Sequence, residues 1–489
     1  MNAALPIIGA AALGALILGL RARRGTEMTL EQWSVGGRSF GAVLVFVLMA
    51  GEIYTTFTFL GASGYAYGKG APAYYIFCYA TLSFVISYWL LPPIWRHAKR
   101  VRLHSQPELF DALYQSRSLG LLVACVGLVA LIPYLVLQFK GLGIIVEAAS
   151  YGIINPTLAV WLGATLLTAY VVVSGVHGSV WTAIVKDTLI LLVIAFMGFY
   201  LPYHYYGGVG AMFAAIEQAR PGFLAFPATG QSFFWFSSTT LLTALGFYMW
   251  PHSFAAIFTA ADTRTFRRNA IVMPLYALIM LFAILVGLAA ILQVPGLNGG
   301  EIDLALLRLS LATFDPWFVG VIGAAGVLTA LVPGSMILIS AATAFASSIY
   351  RTFDRGADAK RVSLVAKSAV PVVALIGVYF TLQGGDTIVA LLLMGYSFVT
   401  QLFPSLVAGL SGRRPLTALG AGAGILAGVG AVAWTVLTHQ TFATLFPGLP
   451  QWAKDLNIGI VALGLNFVVA IVVTLLQRLA GNYRRVVAG

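Results

Sequence analysis

Four ionisable side chains stand inside stretches that are otherwise apolar: Glu52, Lys140, Lys186 and Asp187, with Glu147 at the end of another such stretch. A charge at mid-membrane costs about 2.5–3.5 kcal/mol on insertion scales, so such residues usually face a cavity or a partner and mark a pathway. Around Glu52 runs Ala50-Gly51-Glu52-Ile53-Tyr54-Thr55-Thr56-Phe57-Thr58-Phe59-Leu60-Gly61, with glycines on both sides and several hydroxyls. That composition predicts a helix interrupted near the midplane, and unwound backbone is tolerated there only against protein or a watery cavity. A second interruption is expected at Gly246-Phe247-Tyr248-Met249-Trp250-Pro251-His252-Ser253, because Pro251 removes one amide and clashes with the preceding turn. A simple proline kink is the plainer alternative.

Each residue has a functional and a bland reading. Lys186 is either a site cation that gains and loses a proton, or a lysine snorkelling to the headgroups. Desolvation disfavours the charged form of Glu52, which suits a proton carrier, unless a lysine pairs with it. Free amides at the first break carry partial positive charge and suit an anion. Thr55, Thr56 and Thr58 are candidates to hold it, with Tyr248 and Trp250 as a small apolar wall, although threonines also bond back to their own helix. Lys140 lies about 200° round a helix from Gln138 and is the weaker anion candidate. His252 could shuttle protons or merely satisfy backbone. No Walker loop and no nucleophile motif appear, and six histidines and two cysteines show no metal-ligand spacing. No metal, cofactor or enzymatic activity is expected.

The elements that must position these residues follow from composition. Of 489 residues 60% are hydrophobic and 9% charged, against roughly 25% charged in a soluble domain. With about 20 residues per crossing, the chain is expected to form an all-α membrane protein. Thirteen helices are predicted, near 2–20, 41–68, 73–95, 119–147, 156–174, 180–201, 233–259, 271–293, 317–348, 368–384, 388–410, 416–438 and 457–477. A cleaved signal would want its basic residues before the first apolar run, whereas Arg21, Arg23 and Arg24 follow it.

Most of the 28 basic residues fall in loops of one side, among them Arg414, Arg484 and Arg485; only Lys69, Arg220, Arg308 and Lys454 fall on the other. The positive-inside rule then predicts N-out, C-in in a cytoplasmic membrane, and basic loops facing anionic lipid account for the formal charge of +12 without nucleic acid. The two breaks lie five helices apart, so equivalent helices cross in opposite directions. Helices 2–6 and 7–11 can form inverted repeats, which is the pointer to a secondary-transporter site. One membrane domain is expected: 1–40 an extra helix and inside loop, 41–201 and 233–410 the repeats, 411–489 two extra helices.

Trp33-Ser34-Val35-Gly36-Gly37-Arg38-Ser39, the stretch Ala50 to Gly61, Gly64-Tyr65-Ala66-Tyr67, Pro133-Tyr134 with Gln138, Trp181 with Asp187, Pro251-His252, Asp262 to Asn269, and Gln401 with Pro404 resemble the sodium/solute symporter family. Val185-Lys186-Asp187, Trp250-Pro251-His252-Ser253 and Leu331-Val332-Pro333 look most like its bacterial monocarboxylate permease branch. The resemblance implies the leucine-transporter fold, with Gln138 and Gln401 near the site, and import of small monocarboxylates by alternating access. Sodium-coupled members hold their ion with two adjacent hydroxyl residues, and here those positions are Val332 and Pro333, which have no side-chain oxygen. Lys186 could fill the ion's space. The expectation is proton-coupled, sodium-independent symport of a lactate-, pyruvate-, acetate- or propionate-type acid. Sodium coupling, facilitated uniport and, in a different class, a transporter-like membrane sensor are the alternatives.

Overall fold

The computed structural model describes residues 3–25, 27–413 and 415–487, with side chains as far as Ala480. Asn2, the expected start of the first helix, lies outside the described residues, as do Arg414 and the side chains of Arg484 and Arg485. Among the described residues, ten helices and two bent pairs are long and apolar enough to cross a bilayer. They are α1 (Ala4–Ala22), the pair α2 (Ala42–Ile53 and Phe57–Lys69), α3 (Ala71–Val101), α4 (Arg117–Ala149), then one long helix, Pro156–Tyr206. After it come the pair α7 (Phe233–Met249 and Pro251–Thr259), α8 (Arg264–Gln293), α9 (Pro316–Phe353), α10 (Ala359–Gln383), α11 (Ile388–Leu410), α12 (Ala418–Leu437) and α13 (Ile458–Val487).

The helix Pro156–Tyr206 has 51 residues. Unbroken, it would run about 77 Å, more than twice a bilayer core of about 30 Å. It divides at Gly175, whose φ of 54° and ψ of −151° are not helical, into α5 (156–174) and α6 (176–206). That makes thirteen spans among the described residues. A loop over 175–179 is expected from the sequence; instead a single glycine makes the break. A Cβ on Gly175 would stand 2.5 Å from the Trp33 carbonyl oxygen, and Trp33 Nε1 donates to Val171 O at 3.0 Å. Gly175→Ala should therefore cost about 2 kcal/mol or more, through the left-handed backbone and the clash together, and a lowered unfolding temperature in detergent checks it.

The helices start where side chains satisfy their first amides: Asn155, Thr387 and Thr417 accept from Leu158, Ala390 and Gly420. α10 begins earlier than expected, because Asp358 accepts the Arg361 amide and the polar turn with Lys360 and Arg361 stays outside the apolar span. The connections hold helices too short to cross a bilayer, Leu30–Val35, Gln106–Tyr114, Val209–Ala219 and Ala305–Thr313.

Packing follows a shift of five. α6 packs on α9 as α11 packs on α4; α3 packs on α7 as α8 packs on α2; α4 and α9 pack on each other. α9 is buried along its whole apolar stretch and forms the centre, while α1 covers α9 and the α5–α6 helix from outside. α12 and α13 pair with each other beside α11. Both predicted breaks are present, each bent by 52°.

Candidate functional site

The first break opens at Tyr54, whose φ of −86° and ψ of 85° leave the helical region, and the chain rewinds as a wide turn over Phe57–Gly61. Unwinding frees carbonyls at the end of the first half-helix. Lys186 of α6 occupies them: its Nζ donates to Gly51 O at 2.7 Å and to Tyr54 O at 2.8 Å, and pairs with Asp187 Oδ1 at 2.8 Å. The lysine is fully buried and does not snorkel. Val332 closes the same space from α9: a Cβ placed on Gly51 would meet Val332 Cγ1 at 3.4 Å and Lys186 Nζ at 3.7 Å. Pro333 is buried beside it in α9. Tyr54 turns its hydroxyl away, donating to the Tyr276 carbonyl, with the two rings edge-on at 4.4 Å.

The second break is sharper. Trp250 is extended, with φ −72° and ψ 137°, and Pro251 opens the second half-helix at a position where a missing amide costs nothing. Between the breaks lies a buried cavity of about 30 Å³, room for one or two waters. Glu52, Tyr79, Tyr134, Tyr248, Trp250, His252 and Tyr396 line it. Glu52 Oε1, Trp250 Nε1 and His252 Nδ1 are buried without a hydrogen-bond partner among the described residues. Three orphaned polar atoms around one cavity are what a site built for a polar ligand leaves behind. Glu52 makes no ion pair among the described residues, although Tyr134 Oη donates to its backbone carbonyl at 3.3 Å.

The other nominated residues go elsewhere. Thr58 Oγ1 donates to Ile53 O at 2.9 Å, and Thr55 Oγ1 accepts the Phe57 amide at 3.1 Å. Both therefore cap their own broken helix. Thr56 bonds Gln138 Oε1 at 2.9 Å, holding α2 to α4. None of these four lines the cavity. Gln401 ties α11 to α13, donating to Gly459 O at 3.1 Å and meeting Asn466, and it also lies away from the cavity. Lys140 is no free anion ligand: its charge is taken up by Asp303 Oδ2 at 2.8 Å, and its Nζ also donates to Asp386 O at 2.5 Å. Asp303, which also accepts the Ile388 amide at 3.0 Å, is a buried acid that the sequence reading passes over because it sits in a loop.

The protein is closed at both ends of this cavity. Toward the arginine-rich loops, Phe40 pairs with the end of α7, donating to Thr259 O and accepting from Ala261, each at 3.0 Å. Arg38 pairs with Glu31 at 3.1 Å and donates to the Leu103 carbonyl. On the opposite side, the Lys140–Asp303 pair and Ile388 tie α4, the 299–304 turn and α11 together.

Two broken helices facing each other across a small cavity, with separate contacts at each end, is an arrangement suited to a secondary transporter. Comparison with known proteins agrees. Residues 33–428 match the Sodium:solute symporter family. The uncharacterized symporter YhjB of Bacillus subtilis (strain 168) is 61% identical over 480 residues, 98% of each chain. A monocarboxylate transport permease protein of Rhizobium johnstonii is 28% identical over 395 residues, 78% of this chain and 77% of that one. A Na+-coupled sialic acid symporter, solved substrate-bound and outward-open, has the same fold, with a TM-score of 0.79 at 16% identity, covering 97% of this chain and 96% of that one. The chain thus belongs to the sodium:solute symporter family, and is a multi-pass transporter of the cytoplasmic membrane rather than an enzyme.

Proposed function

We propose that this symporter imports small monocarboxylates with a proton and without sodium, one repeat (41–201) rocking against the other (233–410). The observation that carries the coupling is the Lys186 ammonium on the carbonyls of Gly51 and Tyr54. A sodium ion needs oxygens to replace its water, and the carbonyls nearest the break already serve the ammonium. Val332 and Pro333 offer no side-chain oxygen, so the residues present do not suit the ion.

A proton is then the currency that the remaining chemistry can carry. Glu52 is buried with Oε1 lacking a hydrogen bond, and the cation that attracts it, Lys186, is already paired with Asp187; a buried carboxylate in that state is costly, so a proton is a cheap means of neutralising it. The resemblance of this chain to a monocarboxylate permease supports the substrate class, and the cavity supports it in kind. Trp250 Nε1 can only donate, and a carboxylate can only accept. A cavity this small must widen even for an acid of few carbons, so it favours short acids over long ones.

Uptake of labelled lactate or pyruvate into proteoliposomes tests the reading, with proton and sodium gradients imposed separately. An inward proton gradient should concentrate the acid, and an inward sodium gradient at equal pH should not. Full accumulation driven by sodium alone would overturn the coupling. A competition panel in which no short carboxylate slows uptake of another would overturn the substrate class.

A further inference from the structure

The second break has a carbonyl in the same predicament as those of the first, and a residue from outside the bundle meets it. In a continuous helix Met249 O would accept from the Ser253 amide. Here that amide bonds Trp250 O at 3.1 Å, so Met249 O is released into the protein interior. Gln106 Nε2 donates to it at 2.7 Å. Gln106 opens the short helix Gln106–Tyr114, which lies on the arginine-rich side between α3 and α4. Its side chain is fully buried, and Pro251 Cγ and Gln106 Oε1 both lie within 4 Å of where Gly127 of α4 would carry a Cβ. The opening residues of this helix touch the other repeat as well: Ser105 Oγ meets Ser347 Oγ of α9 at 3.1 Å. At its far end Tyr114 Oη donates to Ser405 O of α11 at 2.7 Å.

We propose that Gln106 is a positioning residue that links closure of the arginine-rich side to the substrate cavity. While that side is closed, the amide of Gln106 fixes the Met249–Trp250 peptide, and with it the Trp250 indole that lines the cavity. When the helix Gln106–Tyr114 moves off to open that side, Met249 O loses its donor and Trp250 is freed to let the substrate go. The link rests on the cavity being the substrate site, but not on which substrate it takes.

The test uses full-length Gln106→Glu and Gln106→Ala proteins in proteoliposomes, with equilibrium exchange of labelled lactate at equal pH on both sides. Glutamate has the shape of glutamine but donates only when protonated. The exchange rate of Gln106→Glu, divided by that of the unaltered protein at each pH, should rise about tenfold between about pH 7.5 and about pH 5.5 as the carboxyl regains a donor. Gln106→Ala should raise the KM for exchange about tenfold at any pH, because a loosened wall binds less well. A packing role alone would leave the isosteric Gln106→Glu equal to the unaltered protein throughout, and that result would overturn the link. Hydrogen exchange of backbone amides over residues 247–254 needs no substrate: it should quicken in Gln106→Ala, and unchanged protection would likewise overturn it. Absence of lactate exchange in the unaltered protein would count against the substrate reading instead, leaving the amide measurement to decide on Gln106.

Discussion

Replacing Lys186 by alanine should abolish concentrative uptake, leaving the internal acid no higher than the external. The ammonium contacts Gly51 O, Tyr54 O and Asp187 Oδ1, all within 2.8 Å and all buried. Removing it leaves two carbonyls and a carboxylate without a partner in a dry interior. Breaking a buried pair in this way costs about 3–5 kcal/mol, so the break in α2 loses the geometry that shapes the cavity. Lys186→Ala/Asp187→Asn removes the stranded charge and should recover folding, as thermal unfolding would show, without recovering accumulation. The combination Lys186→Ala/Val332→Ser asks the complementary question. With the ammonium gone and a hydroxyl beside the freed carbonyls, oxygens are again available to a hard cation, and sodium should begin to stimulate uptake. Accumulation by Lys186→Ala equal to that of the unaltered protein would remove the lysine from the coupling cycle.

The sequence made much of this arrangement legible, for identifiable reasons. Pro251 favours a break because it lacks an amide, although Pro133, Pro333 and Pro371 lie within continuous helices, and Gly51 with Gly61 brackets another, so both interruptions could be placed within a few residues. Glu52, Lys186 and Asp187 stood out because nothing else nearby was charged. Partners were harder to foresee. Lys140 lies near the end of a helix and its acid, Asp303, is far along the chain in a loop, where an aspartate draws no notice until the fold brings it to 2.8 Å. The threonines at the first break read as ligands in the sequence, yet unwinding creates donors and acceptors in the break itself, and Thr55 and Thr58 satisfy those first. Gln106 was invisible for the opposite reason: a glutamine before a proline in a polar connection reads as surface, and only the freed carbonyl of Met249 explains its burial.

Glu52→Gln should uncouple the carrier while sparing its ability to exchange substrate. Glutamine has the size of a protonated glutamate and can still donate a hydrogen bond, so the variant resembles the loaded carrier permanently. The cavity wall keeps its shape, and equilibrium exchange of labelled lactate should proceed at a comparable rate. An imposed proton gradient, however, has no group left to act on, and accumulation should fall to the external level. The sign of the pH effect follows from the same step. Because the unaltered protein must load a proton before it turns over, its uptake should rise as external pH falls; Glu52→Gln should show a flat profile over the same range. This separates Glu52 from Lys186 as the proton carrier. If the lysine carries the proton, Glu52→Gln keeps both its accumulation and its pH dependence, and Glu52 is reduced to a wall of the cavity. The different bonding of the two groups favours the first outcome. Lys186 is held by three oxygens, one of them the Asp187 carboxylate, and giving up its proton would strand all three. Glu52 Oε1 has no partner among the described residues, so gaining or losing a proton there disturbs few contacts and leaves the carboxyl free to face whichever side is open.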